Sequence, residues 1–216
     1  MARLVVPGYP HHVTQRGNRQ LATFFVDNDY QDYLELLSAN LQKAEVAIWA
    51  YCLMPNHVHL VAVPEATDGL ARLLRITHHK YARFINERFG WQGHLWQERF
   101  HSFVMDEAHL FAAVRYVELN PVRAGLCAEP YHWPWSSVHA HLFGRPDPVV
   151  DPAPMLMRVP DWTAYLSGGG NGPSNADLRR HSRTGRPAGS ESFITKLEGL
   201  SGRRLKKRKT GLITQG

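Results

Sequence analysis

Apolar residues return along the first half of the chain in two alternating rhythms. His11-His12-Val13-Thr14-Gln15-Arg16 reads as a first strand, ended by Gly17-Asn18. Tyr30, Tyr33, Leu34, Leu37 and Leu41 then recur at helical spacing. Asn28 serves as the expected N-cap, with Gln31 three residues on as in a capping box, and the helix runs to about Ala44. Val46 to Leu53 is a second strand, Met54-Pro55-Asn56 is turn chemistry, and His57 to Val63 returns as a third strand closed by Pro64. Asp68 caps a second helix with the apolar stripe Leu70, Leu73, Leu74, Thr77, Tyr81, Phe84 and Ile85, fading near Phe89-Gly90. Phe100 to Met105 is a fourth strand, and Asp106 caps a third helix that Pro121 stops.

The order β-α-β-β-α-β followed by a helix predicts an α+β, ferredoxin-like (RRM-like) fold. One antiparallel sheet carries two helices on one face, with the first and third strands as its central pair. The other face is left for the third helix.

Within that scheme, Met54-Pro55-Asn56-His57-Val58-His59-Leu60 is the most informative stretch. Strand side chains alternate faces, so His57 and His59 point the same way while Val58, Leu60 and Ala62 face the opposite layer. A buried strand has no packing reason to carry two imidazoles on one face, and imidazole is a common metal ligand. On the third helix Tyr116 and Asn120 are four apart and share a face. If that face covers the sheet, His57, His59 and Asn120 form a three-ligand site beside a nucleophile-type hydroxyl, that of Tyr116.

Composition adds a second theme. The 216-residue chain carries a net charge of +6. From Gly172 to Gly216 there are eleven Lys/Arg and three Asp/Glu, whereas residues 1–171 carry 14 Lys/Arg against 16 Asp/Glu. The basic surplus therefore sits in the tail, densest at Arg203, Arg204, Lys206, Lys207, Arg208 and Lys209, and points to a polyanion such as nucleic acid. Five prolines in residues 146–160 and Gly168-Gly169-Gly170-Asn171-Gly172 read as a linker. The expected organisation is a catalytic domain over 1–145, a Pro/Gly-rich linker over 146–172 and a flexible basic tail over 173–216, in which Phe193, Ile194, Leu197 and Leu200 suggest one short amphipathic helix. No apolar run is long enough for a bilayer, no signal peptide is evident, and two cysteines, Cys52 and Cys127, make no disulfide framework. A reduced, cytoplasmic and nucleoid-associated protein is expected, with no membrane partner.

Four segments taken in order resemble one family. They are Pro55-Asn56-His57-Val58-His59-Leu60, then Leu95-Trp96-Gln97-Glu98-Arg99-Phe100-His101-Ser102, then Tyr116-Val117-Glu118-Leu119-Asn120-Pro121-Val122-Arg123-Ala124-Gly125-Leu126, then Trp135-Ser136-Ser137. The family is the single-tyrosine HUH transposases of the insertion-sequence 200/605 type, and the nearer resemblance is to their relatives associated with repetitive extragenic palindromes (REPs). It covers residues from about 5 to 145, and Thr184-Gly185-Arg186-Pro187 with Gly189-Ser190 and Phe193 is similar to tails of that group. The resemblance implies an RRM-like core and a metal-dependent endonuclease and strand transferase acting on single-stranded DNA at hairpins. It makes His57 and His59 the metal pair and Tyr116 the nucleophile, through a 5′-phosphotyrosine. The third ligand lies one turn after the tyrosine, often as glutamine; here that position is Asn120, with Glu118 as a fallback. Mg2+ or Mn2+ is the implied ion. Insertion-sequence relatives act as dimers, so a homodimer is one expectation and a single subunit the other.

DNA contacts are expected from Arg16 and Arg19 after the first strand, Arg72, Arg75, Lys80 and Arg83 on the second helix, Arg123, and the tail cations. Trp91, Trp96, Trp133 and Trp135 are either stacking platforms for unpaired bases or core residues. Two other readings stand beside this one. A zinc hydrolase would recruit further histidines to His57 and His59, although no His-Glu-x-x-His helix exists. A non-catalytic hairpin-binding protein would retain the site unused.

Overall fold

The computed structural model describes residues 3–168 and 172–206. Its first elements are β1 (His11–Arg16), α1 (Asp27–Ala44), β2 (Val46–Met54), β3 (His57–Pro64), α2 (Gly69–Phe89) and β4 (His101–Val104). The sheet order is β2-β3-β1-β4 and every pairing is antiparallel. The first and third strands are therefore the central pair, as the alternating pattern predicts.

One face of the sheet is a conventional apolar core. Val13, Val58, Leu60 and Ala62 meet Tyr33 and Leu37 of α1 and Leu70, Leu73, Leu74, Tyr81 and Ile85 of α2. Two details differ from the sequence pattern. Phe84 is 40% exposed and lies outside the buried stripe. The first helix begins at Asp27 rather than being capped by Asn28: the Asp29 carboxylate accepts from the N–H groups of Phe25 and Val26 and pairs with Arg88 of α2. A carboxylate in the first turn satisfies the free N–H groups as a cap would.

The opposite face is covered by α3 (Glu107–Glu118), whose Leu110, Ala113, Val114 and Val117 pack on Ala50, Cys52, Val61 and Phe103. The helix does not run to Pro121. It breaks at Leu119 (φ −86°, ψ 3°) and restarts as α4 (Asn120–Arg123), with Pro121 in its first turn, where the missing N–H costs nothing. The end of α3 is tied down by Glu118, which is fully buried. Its Oε1 accepts from Ser137 Oγ and His141 Nδ1, each at 2.6 Å, and its Oε2 accepts from Trp162 Nε1 at 2.9 Å. Those partners belong to the segment leading into α5 (Val138–Phe143), to α5 itself and to α7 (Trp162–Ser167), which follows the single turn α6 (Ala153–Leu156).

The linker and the flexible tail are corrected by the structure over the described residues. Val150 bridges to Ile48 at the edge of β2, and Met155, Trp162 and Leu166 are buried against the α3 side of the sheet. Two further helices follow, α8 (Asn175–Thr184) and α9 (Glu191–Ser201). Leu178 of α8 is buried, Ala188 N donates to Val104 O at 2.8 Å, and Leu197 of α9 packs with Leu4, Val6, Val104 and Leu205. These apolar anchors stand singly among prolines, glycines and cations, so no periodicity reveals them. Of the expected amphipathic helix, Leu197 is buried, Phe193 and Ile194 are partly buried and Leu200 is exposed. Lys207, Arg208, Lys209 and Gly169 to Asn171 lie outside the described residues. Among the described residues no helix is long and apolar enough to cross a membrane.

Two outcomes follow from this packing. Replacing Glu118 with Ala leaves two buried donors, His141 Nδ1 and Trp162 Nε1, without an acceptor, while Ser137 Oγ keeps a bond to the Tyr51 carbonyl at 3.3 Å; the cost is about 1–3 kcal/mol for each unpaired group. The urea midpoint of Glu118→Ala should fall sharply, and an unchanged midpoint contradicts the anchoring role. Acid should also weaken the fold. His11 is held neutral, its Nε2 accepting from Val6 N and its Nδ1 donating to Tyr9 O, and burial pushes its pKa down to about 4. His78, bonded to the Tyr33 hydroxyl, is pushed by burial to about 3. In the unfolded chain both titrate near 6.5. Between those values the unfolded chain binds protons that the native state refuses. The stability these histidines give is therefore whole above about pH 6.5 and is lost as pH falls towards 4, by an amount on the order of a few kcal/mol. Urea midpoints that stay level from pH 7.5 to 4.5 would contradict this.

Candidate active site

Register fixes the histidines first. His59 lies opposite Thr14 of β1 and Cys52 of β2, and His57 lies opposite Arg16 and Met54. Both imidazoles sit on the α3 side of the sheet. Their rings are 4.8 Å apart at 77°. His57 Nδ1 bonds to Asn56 Oδ1 at 2.6 Å, and His59 Nδ1 bonds to His12 Nε2 at 3.0 Å. With both Nδ1 atoms engaged, Nε2 is the remaining ligating atom of each ring. His59 Nε2 is buried and has no hydrogen-bond partner.

Burial keeps these rings neutral. It pushes the His12 pKa down to about 3. Burial and then the charge of Arg16 push His57 to about 4. For His59 burial acts first, and the neighbouring His57, His12, Arg16 and Arg123 push the pKa lower still. At neutral pH all three present lone pairs rather than positive charge.

Tyr116 reaches the same place from α3. Its ring centroid is 5.6 Å from His59 and 6.1 Å from His12, edge-on to both, and the residue is 8% exposed. Arg123 returns from α4 to lay its guanidinium carbon 4.3 Å from the centre of the Tyr116 ring and donates to the Tyr116 carbonyl. His57, His59 and Tyr116 share a cleft of about 580 Å³ with Arg16, Gln97, Glu98 and His101. Its remaining wall comes from α8, through Arg179, Ser182 and Arg183.

The other residues singled out by the sequence divide clearly. Asn120 is buried with its Nδ2 unpartnered, and it does not line the cleft surface. Glu118 as a fallback ligand is corrected: two positions from Tyr116 on the helix, it faces the core and spends its oxygens on Ser137, His141 and Trp162. Arg16 lines the cleft, and Arg19 is exposed on the adjoining turn with φ +54°. Arg72 pairs with Glu45 and Asp68, and Arg83 with Glu87, so their charge is partly met within the protein. Arg75 and Lys80 are exposed on α2. Arg203 donates to the Arg3 carbonyl, while Arg204 and Lys206 are exposed after α9; none of the three lines the cleft. Trp96 is buried, and Trp133 and Trp135 pack partly buried on the α1–α2 core, whereas Trp91 is 48% exposed.

Sequence reasoning missed His12, Arg179, Ser182 and Arg183. The signal for His12 was present in the topology. Once β1 and β3 are the central pair, His12, Thr14 and Arg16 share the face of His57 and His59, and diagonal neighbours fall within reach of each other. Nothing in the composition of residues 175–184 placed them at the cleft rather than in solvent.

Known proteins share the sequence pattern and the fold. A REP-associated tyrosine transposase (provisionally so described) of Haemophilus influenzae is 28% identical over 101 residues, which cover 42% of this chain and 57% of that relative's length. A solved structure described as a REP-associated tyrosine transposase bound to a REP hairpin has a TM-score of 0.57 at 20% identity, covering 81% of this chain and 96% of that one. It shares the fold. The family model described as "Transposase IS200 like" matches residues 7–120, the span that holds both histidines, the tyrosine and the central strands. The chain thus belongs to the IS200-like transposase family.

Proposed function

We propose that this chain is a metal-dependent endonuclease and strand transferase of single-stranded hairpin DNA, working through a 5′-phosphotyrosine at Tyr116. The observation that carries the reading is the meeting of Tyr116 and His59 within one chain, 5.6 Å between ring centroids, in a cleft ringed by guanidinium groups. Membership of a transposase family supports DNA as the substrate, and the hairpin described for the fold neighbour supports its form.

The donor set fits a divalent ion. His59 Nε2 is a buried, unpartnered nitrogen, and both rings are already oriented through Nδ1. His57 and His59 are the proposed ligands of Mg2+ or Mn2+, the latter better matched to imidazole nitrogen. Asn120 is the proposed third ligand and would have to serve through Oδ1, since its buried, unpartnered atom is Nδ2, a donor that does not hold a cation. When bound, the ion polarises the scissile phosphate and offsets the charge that develops on it.

The chain's own residues do the rest. His59 Nδ1 and His12 Nε2 are 3.0 Å apart, and metal binding through His59 Nε2 requires the tautomer in which His59 Nδ1–H donates to His12. Tyr116 Oη forms a bond to phosphorus while the bond from phosphorus to the 3′ oxygen breaks. The phenol gives up its proton, and the departing oxygen keeps the electron pair and takes a proton to become a 3′-OH. A later 3′-OH can displace Tyr116 by the reverse route, because the covalent bond conserves the diester. Arg123 fixes the ring of Tyr116 and sets a positive charge beside it. Arg16, Arg179 and Arg183 offer phosphate contacts that do not read sequence. One chain supplies both histidines and the tyrosine, so the reaction does not require a homodimer. A zinc hydrolase would need a third classical ligand, and among the described residues no three His, Cys, Asp or Glu gather to hold an ion.

Incubated with single-stranded hairpin DNA and Mn2+, the protein should form a denaturant-stable adduct that mass spectrometry maps to Tyr116. Tyr116→Phe should bind the same DNA and form none. Cleavage at the normal rate by Tyr116→Phe would establish a hydrolase instead, and binding by the wild-type chain with neither adduct nor cleavage would establish a non-catalytic binder. His12→Phe should weaken Mn2+ binding by about 10- to 100-fold in calorimetry, with hairpin affinity retained. Unchanged metal affinity would remove His12 from the site.

A further inference from the structure

The cleft at Tyr116 is lined by a third histidine, which neither the proposed ion site nor the packing of the fold employs. Register sets His59 of β3, Thr14 of β1 and His101 of β4 side by side across the sheet. Residues directly opposite one another share a face. Phe103, two places on from His101, shows which face this is, because it lies in the apolar layer under α3 and meets the His12 ring edge-on at 5.2 Å. His101 therefore opens into the cleft, whose lining it joins with His57, His59 and Tyr116. It is exposed, and among the described residues its side chain has no hydrogen-bond or ion-pair partner.

One proton of the reaction still needs a carrier. The 3′ oxygen is a poor leaving group unless a proton reaches it as its bond to phosphorus breaks. In an in-line displacement that oxygen lies on the side of phosphorus away from the attacking phenol. Tyr116 stands on the β3–β1 side, its ring 5.6 Å from His59 and 6.1 Å from His12. His101 is two strand spacings of about 4.8 Å away from His59. A phosphate lying over Thr14 thus has the phenol on one side and the His101 imidazole on the other. The rest of the lining offers no better donor. Burial holds His57 and His59 neutral. Arg16, Arg179 and Arg183 attract the phosphate, but guanidinium groups do not give up protons in proteins. Glu98 is the one carboxylate among the lining residues, and it is exposed. Near neutral pH an imidazole can give a proton and take it back, which an exposed carboxylate cannot.

We propose that His101 is the general acid of strand cleavage and the general base of rejoining. The inference rests on the catalytic reading above and adds the group that handles the proton of the 3′ oxygen. In cleavage the bond from Tyr116 Oη to phosphorus forms, and the phenol proton passes to water. The bond from phosphorus to the 3′ oxygen breaks with its electron pair left on oxygen, and the protonated His101 ring gives that oxygen its proton. The ring then recovers a proton from water. In rejoining, the neutral ring takes the proton of the attacking 3′-OH, and the released phenolate takes one from water.

A sulfur-substituted DNA isolates this step. The cut site in single-stranded hairpin DNA is mapped through the Tyr116 adduct, and the same DNA is made again with sulfur replacing the 3′ bridging oxygen at that site. A thiolate leaves without a proton, so this DNA needs no acid. With Mn2+ and protein in excess, His101→Ala should form the adduct about 100-fold more slowly than the wild type on the oxygen DNA, and within about threefold of the wild type on the sulfur DNA. Hairpin affinity, read by anisotropy, should not change. Wild-type rates for His101→Ala on both DNAs overturn the proposal. Equal slowing on both also overturns it, because that is what a misplaced strand gives. A sulfur-dependent rescue in Glu98→Gln instead of His101→Ala overturns it as well. Each of these results, with an adduct formed by the wild type, defeats the role of His101 alone. No adduct from the wild type on the hairpin DNA defeats the catalytic reading, and this inference with it.

Discussion

Strand β3 has to serve two layers at once. Val58, Leu60 and Ala62 must fill the core against α1 and α2, and the strict alternation of the strand then puts His57, His59 and Val61 under α3. Because β3 is central, both neighbours are fixed by backbone pairing, and His12 of β1 is carried into hydrogen-bond reach of His59. Slipping that pairing by one residue would turn the imidazoles into the apolar core and the valines into the cleft. The site is therefore a consequence of sheet register, and the hydrophobic layer that enforces the register is the one that takes no part in the chemistry.

The second constraint is the placement of α3. Its apolar stripe holds it to the sheet, but a stripe allows sliding and rotation. Glu118 removes that freedom by accepting three hydrogen bonds, from Ser137, from His141 of α5 and from Trp162 of α7. Just beyond, the break at Leu119 turns the chain so that Arg123 folds back over Tyr116. The segment Tyr116 to Gly125 and the pair Ser136-Ser137 thus belong to one structural unit: Ser137 helps fix the helix that presents the tyrosine. The C-terminal helices close the same cleft from outside, with Leu178 and Ala188 as apolar anchors and Arg179 and Arg183 as its charged wall.

Much of this was readable from the chain alone, where the information is local. The β-α-β-β-α-β order follows from spacing within short windows, and the shared face of His57 and His59 needs only strand geometry. That Tyr116 comes to the histidines needs the further step of assigning α3 to the open face. What escaped depends on distant partners. His12 gains its meaning from the β1–β3 register. Arg72 and Arg83 looked like free cations until Glu45, Asp68 and Glu87 were seen beside them. The straight helix expected through Asn120 is broken at Leu119, where Pro121 opens a new turn instead of ending an old one. The folded C-terminal segment was hidden because single apolar anchors among prolines and cations leave no periodic trace.

The central claim is that two imidazoles turned outward by their Nδ1 bonds form a cation site within reach of the Tyr116 hydroxyl. The most direct measurement is a crystal structure with Mn2+, located by its anomalous scattering. The claim requires the ion to be bonded to Nε2 of both His57 and His59, on the side that faces Tyr116. An ion held elsewhere, such as between His109 and His181, or one bound while His57 and His59 stay uncoordinated, would contradict it.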